Sequence, residues 1–294
     1  MIKLIEKTIN EKLNIFTKED LPLKFLKFST PSSGATLYDK VNFFVFGAHD
    51  KNPRLCIKTV RYYKAREVIV RNFKNLQKLN KLVKDSSCNN TFANALYLYD
   101  DGDNIFSIET ACIGKKLSPI SKNLKILTKN YFAFQKCCFE KEKDFIQNIR
   151  IFGIDLIKQG GFKEDDEIKL IDYFKNSSFG KSLIIPKIIQ HGDLTLDNVL
   201  FAQNKIHIVD YDYVGISYLP GFDLFNLFVR YNRSSLCVNN IYWIEYFKMF
   251  GIESSNLKLI FFLCYLSERI FKKKYLLKNK TAVQIIEDFE KILL

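Results

Sequence analysis

The sequence predicts an α+β chain in two lobes, an N-terminal antiparallel sheet with one helix over residues 1–114 and a helical lobe over residues 115–294. Three observations lead there. Short apolar runs bounded by turn residues fill the first hundred or so positions around a single helical stretch. Beyond Gly114 the apolar residues recur at helical spacing. Residues 184–215 interrupt that pattern with short strands and polar loops.

The elements follow in order. Leu23 to Thr30 alternates Leu and Phe with Lys, Asp39 to Gly47 is rich in Val and Phe, and Arg54 to Val60 is a third apolar run, which together give three antiparallel strands. Over residues 63–84, Val68, Phe73, Leu76, Leu79 and Leu82 fall at helical spacing. Ala95 to Tyr99 and Ile105 to Ala111 flank Asp100-Asp101-Gly102-Asp103-Asn104, a hairpin turn. A joint near residues 109–118 follows, and Ser118-Pro119 opens the next helix, since Ser caps and Pro fits the first turn. Helical periodicity covers 119–138, 142–159 and 165–177, then 221–232, 238–250, 256–277 and 280–293.

Composition excludes several classes. With 47% hydrophobic and 26% charged residues, 12 Gly and 6 Pro, the chain is neither collagenous nor a disordered polyelectrolyte. Its 294 residues can bury one large or two modest cores. The longest apolar run, Leu259 to Leu266, falls short of the ~18 residues that cross a bilayer. Residues 1–7 mix charge with hydrophobes and lack the apolar core of a secretory signal, so a cytoplasmic location is expected. Cys56, Cys88, Cys112, Cys137, Cys138, Cys237 and Cys264 show no metal-ligand spacing and read as free thiols. The net charge of +13 is compatible with an anionic ligand or a Lys-rich surface; no nucleic-acid module accompanies it, so no nucleic-acid partner is expected. Trp243, with Tyr242 and Phe247, reads as helix core. Lys272-Lys273-Lys274 reads as a solvated face, with peripheral membrane contact left open.

The chemistry concentrates in His191-Gly192-Asp193, Asn198 and the stretch Ile208-Val209-Asp210-Tyr211-Asp212. Two short strands joined by a turn bring Asn198 and Asp210 side by side. Amide and carboxylate oxygens of this kind suit Mg²⁺, which also takes water and phosphate. Asp193, upstream on a polar loop, suits the base for a hydroxyl nucleophile.

These residues resemble the catalytic core of the aminoglycoside phosphotransferase and choline kinase-like superfamily, whose fold is that of protein kinases. Gly221-Phe222-Asp223-Leu224 is similar to that family's Asp-Leu helix start, and Leu55-Cys56-Ile57-Lys58 to its strand with a phosphate-binding Lys. The resemblance implies Asp193 as catalytic base, Asn198 and Asp210 as Mg²⁺ ligands with Asp212 assisting, and His191 and Asp223 as braces of the loop. It implies that Lys58 orients ATP phosphates and pairs with an acid on the following helix. Glu67 comes early in that helix, while Asn72 better fits its pattern. Ser33 and Gly34, in a Ser/Gly turn between the first strands, can present N–H groups to phosphate, although an ordinary hairpin turn reads as well. The joint beginning at Glu109 and Ala111 matches the place where adenine lies against backbone in this fold.

The expected activity is an ATP- and Mg²⁺-dependent kinase acting on a hydroxyl of a small molecule: a sugar or glycan precursor, an amino alcohol or an aminoglycoside. Similarity to phosphotransferases of bacterial surface-polysaccharide pathways favours sugars, and the net charge of +13 argues against an acidic pocket for a polycation. The alternative is a nucleotide-binding pseudokinase or scaffold. A protein kinase is disfavoured, because Tyr213 to Pro220 is too short for a regulated activation loop.

Overall fold

The computed structural model describes residues 1–28, 40–118, 121–146, 148–177, 184–202, 205–231, 241–272, 277 and 280–293. The chain forms two compact units, Met1–Leu117 with Leu196–Asp212, and Ser118–Thr195 with Tyr213–Leu294.

In the first unit, α1 (Ile2–Lys12) precedes β1 (Lys24–Phe28), β2 (Lys40–Phe46) and β3 (Leu55–Val60). The helix α2 (Arg66–Val83) leads to the hairpin β4 (Ala95–Asp100) and β5 (Ile105–Thr110). The five strands form one sheet in the order β1-β2-β3-β5-β4, every neighbouring pair antiparallel, as the alternating pattern predicts. Strand β2 shows the cause: Val41, Phe43 and Val45 are buried, while Lys40, Asn42, Phe44 and Phe46 between them are half-buried and face the other way.

Each face of the sheet has its own apolar cluster. Val41, Phe43, Val45, Leu55, Ile57, Phe106 and Ile108 pack with Ile5 and Ile9 of α1. Val60 and Ile105 pack with Ala65, Val68 and Ile69 at the start of α2. Sequence periodicity does not announce α1, because Lys and Glu separate its few apolar residues; the sheet recruits it through two isoleucines one turn apart. The unit is completed by β6 (Lys115–Lys116), which pairs with β9 (Val199–Ala202), itself paired with β10 (Lys205–Ile208).

The second unit holds α3 (Ser121–Glu142), β7 (Phe145–Ile146), α4 (Ile149–Gln159), α5 (Glu164–Ser177) and β8 (Ile185–Pro186). Then come α6 (Phe222–Tyr231), α7 (Ile241–Met249), α8 (Leu257–Phe271) and α9 (Ala282–Leu293). The single helix expected over 142–159 is corrected here. The Asn148 side chain accepts from the N–H groups of Arg150 and Ile151 and so starts α4 afresh, after β7 has paired with β8. Helix α8 is buried almost all round and packs on α4, α5 and α6, which makes it the core helix of this unit. Trp243 is 1% exposed and packs edge-on against Phe261 at 4.7 Å, a core residue as its helical spacing suggests. No single helix among the described residues is long and apolar enough to cross a membrane.

Because Ile9 is fully buried beneath the sheet, Ile9→Ala should destabilise the protein by about 2–5 kcal/mol. A denaturant-unfolding midpoint unchanged from that of the parent would show that α1 is not part of the core.

Candidate active site

The hairpin β9–β10 pairs Val199 with Ile208, which sets Asn198 across from Val209; the Val209 N–H donates to the Asn198 carbonyl at 2.9 Å. Directly after the strand, Asp210 adopts φ 69°, a left-handed conformation that Asp tolerates better than most residues. Tyr211 pins the bend. Its hydroxyl donates to the Ile208 carbonyl at 2.9 Å, and its own carbonyl accepts from the Asn75 amide at 2.7 Å.

A chain of polar contacts runs through the first unit from this bend. Lys40, at the start of β2, places its ammonium on the Asp210 carboxylate and, at 2.8 Å, on Asp212. Asp212 accepts from the Asn72 amide at 2.7 Å, and the Asn72 amide oxygen accepts from Lys58 at 3.2 Å. Lys58 pairs with Glu109 at 2.9 Å and lies 4.7 Å from the Tyr211 ring centre. Lys58, Asn72 and Glu109 are 5%, 0% and 3% exposed, so this part of the chain of contacts is shut off from water. Burial pulls the Lys58 ammonium down most strongly, but the negative charges around it, Glu109 foremost, and its hydrogen bond to Glu109 together outweigh burial and the group is raised, hence charged at neutral pH. Burial pushes the Glu109 carboxyl up, opposed by Lys58.

In the second unit the loop Gln190–Asp193 is held by Asp223, which is 1% exposed in the first turn of α6. Its carboxylate accepts from the N–H groups of His191 at 2.6 Å and Gly192 at 2.9 Å, and from the Tyr131 hydroxyl. Burial raises its pKa, while the nearby His191 and Tyr131 pull it back. Gly192 has φ 82°, and a β-carbon there would sit 2.1 Å from the Tyr213 carbonyl oxygen, so only glycine fits. Asp193 extends from this loop to Lys272 at the end of α8. The Lys272 ammonium donates to the Asp193 carboxylate, to the Gly192 carbonyl at 2.8 Å, and lies 4.9 Å from the centre of the Tyr213 ring. A small cleft beside them is lined by Asp193, Thr195, Asn226, Arg230, Glu268 and Lys272 among others.

Several sequence expectations need correction. Glu67 is 77% exposed in its side chain and lies 3.6 Å from Arg66; it does not pair with Lys58. Glu109 is not a free backbone edge but a residue inside β5, laddered between Cys56 and Ala95, with its carboxylate on Lys58. The Ala111 N–H donates to the Arg54 carbonyl at 2.9 Å, so that donor is already used. Lys272 is 11% exposed in its side chain and bound to Asp193, not solvated. Ser33 and Gly34 lie outside the described residues. Sequence reasoning missed Lys40, the pairing of Glu109 with Lys58 and the role of Lys272, whereas the helix pattern points to Asn72, to which Lys58 donates. Of the missed residues only Glu109 left a signal, as an acid within the apolar strand Ile105 to Thr110.

Asn198, Asp210 and Asp212 offer hard oxygen donors, and the two carboxylates already converge on one cationic group. That combination fits Mg²⁺, which is typically held by one or two carboxylates and completes its shell with water and phosphate.

Comparison with solved structures shows the fold. A thermostable aminoglycoside phosphotransferase mutant in complex with ADP and hygromycin B superposes with TM-score 0.55 at 10% identity, covering 92% of this chain and 93% of that one. A choline kinase from Streptococcus pneumoniae gives 0.52 at 12% identity, with 100% and 98% coverage. An amicoumacin kinase in complex with AMP-PNP, Ca²⁺ and Ami gives 0.50 at 10% identity, with 99% and 92% coverage. The chain therefore has the kinase-like α+β fold. No protein-family model and no curated protein sequence matches it.

The corrected pairing has a direct consequence. Glu109→Gln leaves the buried Lys58 charge without its counter-ion and should cost about 3–5 kcal/mol of stability, whereas Glu67→Gln should stay within about 0.5 kcal/mol. Equal effects of the two in chemical denaturation would contradict the assignment.

Proposed function

We propose that this protein is an ATP- and Mg²⁺-dependent phosphotransferase that phosphorylates a hydroxyl group of a small molecule. One observation carries the reading: a buried Lys58–Glu109 pair and the carboxylates of Asp210 and Asp212 belong to one hydrogen-bonded network, which is the equipment phosphoryl transfer requires. The likeness to nucleotide-bound kinase structures supports it.

In this reading Asn198, Asp210 and Asp212 hold the metal. Bound Mg²⁺ supplies charge neutralisation at the phosphoryl oxygens. Lys58 directs a fixed positive charge at phosphate; its pairing with Glu109 and Asn72 removes the rotamer freedom that would otherwise blur that charge. Asp193 accepts the proton of the acceptor hydroxyl. Its carboxylate is oriented by Lys272, and its loop is oriented by Asp223 through the His191 and Gly192 amides. His191 and Asp223 thus act on position and not on the reacting atoms.

The acceptor class we favour is a sugar or glycan precursor. The solved structures of this fold carry or are named for other small molecules, hygromycin B, choline and amicoumacin. The strong positive charge of this chain disfavours a polycationic acceptor.

A screen of sugars, amino alcohols and aminoglycosides for acceptor-dependent ADP release tests the reading. With the best acceptor, Asp193→Asn should lower kcat by about 10²- to 10⁴-fold and leave ATP affinity in calorimetry close to the parent's. Asp210→Ala should abolish turnover with the fold retained. An Asp193→Asn enzyme as fast as the parent would defeat the mechanism, and a parent silent across the whole panel would favour a nucleotide-binding scaffold.

A further inference from the structure

The phosphotransfer reading leaves one charged side chain of the network without a role. Lys40 is the first residue of β2, on the strand face opposite Val41, Phe43 and Val45. Its side chain is 17% exposed, and its ammonium lies between the carboxylates of Asp210 and Asp212. Lys58 cannot serve this position, since Glu109 and Asn72 already engage it. The network thus contains two lysines with separate tasks, one tied to Glu109 and one tied to the two aspartates.

Charge explains the arrangement. Lys40 and Lys58 contribute two positive charges against three negative ones from Glu109, Asp210 and Asp212, which leaves a net charge of −1. Two carboxylates this close to one another repel unless a cation lies between them. Without Lys40 the net charge would be −2, concentrated at Asp210 and Asp212. The ammonium thus offsets the charge that a divalent cation would offset if these two carboxylates held one. Unlike an ion, it is tethered: a Lys stem has four carbons and rotates easily, so the group can leave the carboxylates and remain nearby.

We propose that Lys40 is a built-in counter-cation of the metal site, held on Asp210 and Asp212 until a divalent cation displaces it. The proposal rests on the reading of Asp210 and Asp212 as metal ligands. It makes Lys40 a competitor of the metal and a positioning residue for the two carboxylates. Nucleotide-free protein then binds divalent cations weakly, and metal enters readily only when phosphates arrive to share it and to receive the displaced ammonium. Free metal alone does not organise the site.

The test is Mn²⁺ binding to the nucleotide-free protein, followed by electron paramagnetic resonance and calorimetry. Removing one positive charge at contact distance from two ligands should tighten Mn²⁺ binding roughly 10-fold or more in Lys40→Met. Lys40→Gln is neutral but keeps a polar donor, and it should shift affinity the same way with less risk to the fold. Lys40→Arg keeps the charge and should bind Mn²⁺ as weakly as the parent. Adding Asp210→Asn to Lys40→Met should erase the gain. Mn²⁺ should also raise the melting temperature of Lys40→Met more than that of the parent, a readout that tolerates some loss of stability.

Neutral variants that bind Mn²⁺ no more tightly than the parent, while the parent still binds Mn²⁺ together with AMP-PNP, overturn the Lys40 proposal and leave the phosphotransfer reading standing. A parent that binds no Mn²⁺ even with AMP-PNP overturns both.

Discussion

A lysine ammonium buried to 5% exposure inside a β-sheet is the constraint from which the first unit is organised. Left alone in that place, Lys58 would lose its proton or force the strand open, because burying an unpaired charge costs several kcal/mol. Glu109 prevents this. The register that pairs Lys58 with Ser107 puts Glu109 two residues further along the same face of β5, within reach of the ammonium. Asn72 of α2 fills the next position, and through its amide the ammonium is linked to Asp212 and so to the hairpin bend. A single buried charge therefore ties β3, β5, α2 and the segment after β10 into one rigid array.

The second unit solves a similar problem with a carboxylate. Asp223 is buried like Lys58, and backbone N–H groups and a tyrosine hydroxyl donate hydrogen bonds to it. Its partners are the amides of the loop that carries Asp193, so the cost of burying Asp223 is offset by interactions that fix that loop. Gly192 permits the loop's close approach to the Tyr213 carbonyl. Lys272 then fixes the Asp193 carboxylate itself. Both units use the same device: a buried polar group whose satisfaction requires one geometry.

What the sequence shows and what it hides follow from distance along the chain. Asn198 and Asp210 stand out because they bracket one strand–turn–strand segment, with Asp193 on the loop just before it, so their spacing is local; the β9–β10 hairpin sets Asn198 opposite Val209, one residue before Asp210. The five-strand sheet is legible for the same reason: alternation is a local property. The partner of Lys58 is not local, since it depends on which strand lies beside β3. Glu67 has the acidic side chain but comes early in the helix, α2 beginning at Arg66, and Asn72, which fits the helix pattern better, comes five residues after it. At 3.6 residues per turn that is about 140° round the helix axis, which sends Glu67 to water when Asn72 faces Lys58. Lys40 and Lys272 are hidden because a lysine at a strand start or after a helix ordinarily faces solvent. Only the tertiary placement of three aspartates gives them partners.

The central claim is that the Lys58 network and the carboxylates beyond it form a single metal–nucleotide site. The most direct measurement is a crystal structure of the protein grown with Mn²⁺ and AMP-PNP, with manganese located by its anomalous scattering. The account predicts manganese coordinated by Asp210 and Asn198, a phosphate of the nucleotide in contact with Lys58, and the Lys58–Glu109 pair intact. Manganese bound elsewhere, or a nucleotide whose phosphates lie away from Lys58, would contradict it.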